Sequence, residues 1–166
     1  GYFRNFLNNA FESSVEIYYK KMQNQIDFVD HALTLFNPLL EGQIRTGEAT
    51  AYGAEFFLRK QEGRFTGWIT YTLSKTERKI PAINNGNTYP ATYDRTHNLS
   101  IVASYDVNQR LNFSLNWVYY TGAAVTSPTG RMNYQGMIAP IYSDRNAARM
   151  PDYHRLDFSA TLKNKK

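Results

Sequence analysis

The sequence predicts an all-β fold: an antiparallel, up-and-down transmembrane β-barrel segment of about six to seven strands. Three observations lead there. Apolar and polar residues alternate with period two along one stretch after another. The connections between these stretches are alternately short and long. Aromatic residues are 15% of the 166 residues, a composition that suits a pleated, half-buried surface.

The elements follow in order. Gly1–Phe6 reads as the end of a first strand. From Phe11 to Lys21, Phe11, Val15, Ile17 and Tyr19 oppose Glu12, Ser14, Glu16, Tyr18 and Lys20. From Thr50 to Leu58, Tyr52, Ala54, Phe56 and Leu58 oppose Ala51, Gly53, Glu55, Phe57 and Arg59. From Phe65 to Ser74, Phe65, Ile69, Tyr71 and Leu73 oppose Thr66, Trp68, Thr70, Thr72 and Ser74. Leu99 to Tyr105, Leu111 to Tyr120 and Leu156 to Leu162 repeat the rule. Period two over such lengths gives strands with one greasy and one wet face.

The connections sort by end. Leu7–Ala10, Gln61–Gly63 and Asp106–Arg110 are short, whereas Asn24–Glu41, Thr76–Thr96 and Thr121–Tyr153 are long. Outer-membrane barrels have short turns on one side and long loops on the other. Tyr18, Tyr19, Tyr71, Tyr105, Trp117, Tyr119 and Tyr120 lie near strand ends, where amphipathic rings form girdles at lipid–water interfaces. A strand of about 12 residues, tilted near 45°, rises roughly 28 Å, close to the bilayer's apolar thickness. The first long loop is unusually apolar; Asp30 would cap a short helix through Phe36, or the strand extends into this stretch.

Composition excludes several classes. With no cysteine there is no disulfide and no thiolate metal site. The formal charge of +5 is modest, and the basic residues are scattered except at Lys163, Lys165 and Lys166, so nucleic acid is not expected as a partner. No stretch has the ~20 apolar residues of a membrane helix, and nothing at Gly1–Asn5 resembles a secretory signal. Ser74, Ser100 and Ser104 lie in strands without a glycine elbow. Glu12 and Glu16 are ~13 Å apart along a strand, too far to flank one bond. Gly42, Gly47 and Gly53 form no phosphate loop. Catalysis is not expected, and no cofactor is called for.

Two groups of residues carry functional expectations. Asp94, Arg95 and His97 lie where a long loop enters a strand, and Arg145, Arg149, Asp152, His154, Arg155 and Asp157 lie at the matching place on the next loop. They are read either as a ligand-contacting network at the barrel mouth or as ion pairs tying long loops to the wall. The second reading is favoured because partly buried charges need partners in any case. His97 with Asp94, or His154 with Asp152, offers two ligands each, too few for a closed metal site. Trp68, Phe57, Glu55, Glu12 and Glu16 point with the wet face, toward the interior.

The run Ala51-Tyr52-Gly53-Ala54-Glu55 leads into Gly67-Trp68-Ile69-Thr70-Tyr71-Thr72-Leu73-Ser74. Then come Tyr89-Pro90-Ala91, Tyr93-Asp94-Arg95-Thr96-His97, Tyr120-Thr121-Gly122, and Arg145-Asn146-Ala147-Ala148-Arg149-Met150-Pro151-Asp152-Tyr153-His154-Arg155-Leu156-Asp157. In order and spacing these resemble the C-terminal barrel region of TonB-dependent receptors of the Bacteroidetes type, over nearly the whole chain. The resemblance implies a barrel of about 22 strands around an N-terminal plug. It also implies import of a nutrient (an iron chelate, glycan, cobalamin or peptide), energised by the inner-membrane TonB complex, in the bacterial outer membrane. Residues 1–166 are then expected to be a partial barrel domain without plug or TonB box, ending in Lys-Asn-Lys-Lys rather than in a terminal aromatic. Its expected partners are outer-membrane lipid, its own plug, the TonB complex and the nutrient. Two other functions fit the strand pattern: a soluble β domain binding carbohydrate or nucleic acid, and a plugless porin or adhesin.

Overall fold

Short turns at residues 7–10, 61–64 and 107–110 close three hairpins, and these join edge to edge into one long antiparallel sheet. A computed structural model describes residues 1–32 and 35–164. Its strands are β1 (Tyr2–Phe6), β2 (Phe11–Phe28), β3 (Ile44–Lys60), β4 (Phe65–Lys79), β5 (Tyr89–Pro90), β6 (His97–Asp106), β7 (Leu111–Tyr120), β8 (Ala124–Val125), β9 (Pro128–Tyr134), β10 (Met137–Tyr142), β11 (Ala148–Arg149) and β12 (Tyr153–Leu162). The main sheet runs β1-β2-β3-β4-β6-β7-β12, every neighbour antiparallel, and curls as a half-barrel. Among the described residues there is no α-helix, only two short 3-10 turns, Leu40–Gln43 and Asn84–Gly86.

The turns at one end are tight because their residues accept left-handed backbone. Asn8 and Asn9 have φ of 54° and 65°, and the Ala10 N–H donates to Leu7 O at 3.1 Å. At the other end the long loops carry their own pairings: β9 with β10, and β8 with β11.

The strands reach further into the long loops than alternation alone predicts. The β2–β3 register slips between Met22 and Gln25 and then resumes, from Gln25↔Gly47 to Phe28↔Ile44. An irregularity of this kind inserts residues out of phase, so the polar–apolar period breaks while the ladder continues. That is why a loop was expected from Asn24 onward. β4 likewise continues to Lys79. Of the two expectations for the first long loop, strand extension is found, as far as Phe28. Asp30, Leu35 and Phe36 are not helical, and Leu33 and Thr34 lie outside the described residues. Asp30 accepts the Asn84 N–H at 2.7 Å instead of capping a helix.

The two faces separate cleanly. Ile17 (80% exposed), Phe158 (66%) and Leu156 (60%) lie uncovered on the apolar face. The buried core is elsewhere, on the polar face at the long-loop end. There Ile80, Ile83 and Tyr89 form a cluster, with Ala49, Ala51, Ala91 and Ala124 also buried. Loop residues thus roof the outer ends of β3 and β4. Gly47 permits that roof, since a Cβ there would lie 2.5 Å from Lys79 O and 2.7 Å from Ile80 Cα. We expect Gly47→Val to force the roof off β3 and destabilise the barrel by about 1–3 kcal/mol. A lower temperature for loss of the folded band in heated-sample gel electrophoresis of the membrane-extracted protein checks this.

Candidate functional site

The loop end is built around an interruption in one strand pairing. β6 pairs with β4 only as far as His97 opposite Leu73, and β5 resumes on the same edge at Glu77 and Arg78. Backbone groups left between them need partners. Residues 91–96 provide these: Ser74 N donates to Thr96 O at 3.0 Å, and Ala91 N donates to Thr76 O at 2.9 Å. The Thr76 N–H donates to Asp94 Oδ1 at 2.6 Å, so a side-chain carboxylate stands where a strand carbonyl would be. Asp94 is 2% exposed, and its other oxygen accepts from the Arg149 guanidinium. Arg149 also donates to Asp94 O at 2.9 Å and to Gly122 O at 3.2 Å. The third long loop is thereby tied to the second.

A second node joins three loops. Asp27, near the end of β2, accepts from Arg145 at 2.8 Å, Arg78 at 3.2 Å and the Tyr89 hydroxyl at 3.0 Å. Burial, and then the Asp27 charge, hold the Tyr89 hydroxyl well above its ordinary pKa, so it stays a donor. The Arg145 N–H donates to Asn84 Oδ1 at 3.1 Å. Buried Asn146 donates its side-chain amide to Pro90 O at 2.8 Å and accepts from the Thr126 hydroxyl at 3.4 Å; its backbone N–H donates to Thr126 Oγ1 at 3.0 Å. Asp27, Arg78, Tyr89, Asn84 and Asn146 were not legible as a site in the sequence. The register slip hid Asp27's place on the polar face; Tyr89 and Asn146 stood in the quoted motifs without a role assigned to them, and Arg78 and Asn84 had no pattern to mark them.

A third node lies on the apolar side of the rim. Tyr119 donates to Asp152 Oδ2 at 2.6 Å, and the Gly122 N–H donates to Asp152 Oδ1 at 3.0 Å. A Cβ at Gly122 would fall 1.7 Å from Met150 O, so only glycine fits this junction. The Tyr119 hydroxyl, then the Gly122 N–H, hold the Asp152 carboxyl below its ordinary value. His97 Nδ1 meets the Tyr71 hydroxyl at 2.8 Å, and its backbone exchanges hydrogen bonds with Thr121.

The predicted residues therefore divide among separate places. Asp94 and Arg149 meet directly, and Arg145 joins Asp27 and Asp30. Arg95 lies over the Tyr120 ring at 3.8 Å. His97 and Asp152 bond to the apolar-face tyrosines Tyr71 and Tyr119, and His154 stands in register with Tyr119. Arg155 and Asp157 pair with each other within β12, at 2.9 Å, away from the loop nodes. Among the described residues no group of three or more His, Cys, Asp or Glu side chains could hold a metal. On the polar face, Glu12 accepts from Gln61 at 3.2 Å, Glu16 stands opposite Glu55, Phe57 opposite Thr70, and Trp68 opposite Arg59. Of the expected girdle, Tyr18 and Tyr120 instead belong to the polar face; Tyr120 stacks on Tyr153 at 4.8 Å.

The apolar face has a definite height. On β2 it runs from Phe11 through Val15 and Ile17 to Tyr19 and then turns to Lys21; on β4 it runs from Phe65 through Ile69 and Tyr71 to Leu73 and then turns to Lys75. About nine residues of tilted strand rise roughly 21 Å, near the ~25 Å apolar band of membrane barrels. A family model for the TonB-dependent receptor-like β-barrel matches residues 2–166. The chain belongs to the TonB-dependent receptor β-barrel family. No curated protein and no solved structure matches it. In this family of bacterial outer-membrane receptors, the apolar face of the sheet is the lipid face and the polar face is the lumen wall. Membership does not accord with a soluble nucleic-acid or carbohydrate domain.

Two outcomes follow for the receptor's loops. Asp94→Ala leaves the Arg149 charge and the Thr76 N–H without their partner, and we expect about 3–5 kcal/mol of destabilisation. Faster cleavage within residues 121–152 by added protease reports it. Asp152, whose folded pKa is depressed, contributes stability that is present above the ordinary carboxylate pKa and lost as pH falls through the lower folded value. Pepsin should therefore open the 121–152 loop only at pH below the ordinary range, and Tyr119→Phe should move that opening to higher pH.

Proposed function

We propose that the chain forms one side of the wall of an energised importer, a TonB-dependent receptor that takes up a nutrient too large for porins. Residues 1–166 are then part of the barrel domain, around a plug supplied by another part of the protein, with the TonB complex acting on that plug. The observation that carries this reading is the combination of a lipid-height apolar band with long loops folded inward over the polar face. A structure of that shape closes a lumen from outside while leaving its wall wet.

In this reading Asp94, Arg145, Arg149 and Asp152 set the shape of the mouth. Arg95, Arg155 and Asp157 belong to the lumen wall. His97 and His154 sit at the height of the outer-leaflet interface, with the tyrosine girdle. Glu12, Glu16, Glu55, Phe57 and Trp68 face the plug. The cross-strand pair Glu16–Glu55 supports this, since like charges directly opposite are unfavourable unless a further group meets them.

The test separates an energised receptor from a plugless porin. The full-length protein, purified from outer membranes, should bind the periplasmic domain of TonB and show no steady conductance in planar bilayers. Open-pore conductance without TonB binding would contradict the proposal and favour the porin.

A further inference from the structure

The loop end holds a cleft of about 770 Å³ bordered by all three long loops. Its walls include Phe28, His31, Asn85, Tyr142, Asp144 and Arg145. The volume lies within the range of small-molecule sites. Two rings form one side: His31 and Tyr142 lie 5.6 Å apart at 49°. Polar groups form the other. Asp30 and Arg145 are engaged with each other and with the loop nodes. Among the described residues the Asp144 carboxylate and the Asn85 amide have no hydrogen-bond partner, so acceptors and donors remain available at the cleft wall. Three wall residues, His31, Asn84 and Asn85, have left-handed backbones with φ of 60°, 50° and 55°. Such conformations in residues with a Cβ cost energy and cluster at ligand clamps.

We infer that this cleft is a binding site for a neutral, hydroxyl-rich ligand with a flat apolar face, the chemistry of a pyranose unit of an oligosaccharide. This rests on the receptor reading and names the ligand class of its mouth. Charge decides among ligand classes. The wall has two carboxylates, Asp30 and Asp144, against one guanidinium, Arg145. An anionic ferric chelate would meet a net negative wall. A cationic peptide would find only Asp144 free, because Asp30 is already paired with Arg145. A sugar needs neither charge. A ring such as Tyr142 covers its C–H face, while a carboxylate and an amide accept from and donate to its hydroxyls.

The experiment uses the detergent-solubilised full-length receptor on an array of neutral oligosaccharides that includes maltohexaose, cellohexaose and xylohexaose. A ferric catecholate chelate and hexalysine are titrated in parallel. The expected result is binding of at least one neutral oligosaccharide. Tyr142→Ala and Asp144→Ala should each weaken it tenfold or more, whereas Tyr142→Trp retains it and Ser159→Ala, far from the cleft, leaves it unchanged. Both cleft residues are exposed, so the variants should keep the folded band on unheated gels. Binding of no oligosaccharide, or binding indifferent to Tyr142→Ala and Asp144→Ala, overturns the inference, as does preference for the ferric chelate or hexalysine. TonB binding and silent bilayers in that same protein would leave the receptor reading standing, so the two failures are distinguishable.

Discussion

The buried carboxylate of Asp94 is the constraint on which the loop end depends. An antiparallel edge cannot be left with bare N–H groups under a roof of side chains, and β4 has such a gap between β6 and β5. Asp94 fills it with an oxygen of its own side chain. Burying that charge in turn demands a cation, which Arg149 brings from a loop 55 residues later. From that pair the rest follows: Gly122 is held against Met150 and Pro151, Asp152 reaches Tyr119, and Arg145 and Asn146 are delivered to the first two loops. The loops are fixed by polar partners because the greasy surface of the chain is committed to the other face.

That commitment reverses the usual layout of a water-soluble protein. Ile17 and Tyr19 of β2, Phe65 of β4, and Leu156 and Phe158 of β12 are uncovered, and the compact apolar cluster consists of Ile80, Ile83 and Tyr89 beneath the loops. In a bilayer the uncovered face needs no protein partner. Each strand between the two edges, β1 and β12, also pairs its backbone with a neighbour on either side, the condition for chain inside hydrocarbon. The strands then continue beyond the apolar band: Lys21 pairs with Glu48, and Lys75 with Glu77, where the outward face turns charged. The outer ends of β2, β3 and β4 thus stand in water and carry the loop nodes.

The sequence made the wall legible and left the mouth largely hidden, for physical reasons. Alternation reports which face a residue takes, so Phe56 and Phe57, or Ile69 and Thr70, could be assigned to opposite sides without any structure. The same reasoning failed beyond Met22, where the register slip breaks the period although the ladder goes on. Asp94, Arg145, Arg149 and Asp152 could be picked out as charges at loop–strand junctions, but not their partners. Asp27 with Arg145 spans 118 positions, and no local pattern encodes a contact of that range. Arg155 and Asp157 were grouped with the loop charges by proximity in sequence, whereas strand geometry keeps them on the wall, paired with each other.

The central claim is that one face of this sheet meets lipid and the other meets a wet lumen. It can be read directly along β7. Residues 1–166 contain no cysteine, so single cysteines at each position from 111 to 120, with any cysteine elsewhere in the full-length protein replaced by serine, label without background. The full-length protein is reconstituted in lipid bilayers and treated with a membrane-impermeant maleimide. The account predicts labelling with period two: positions 112, 114, 116 and 118 react, and 111, 113, 115 and 117 are protected until detergent is added. Labelling that ignores the alternation, or protection of the even positions with reaction at the odd ones, would contradict it.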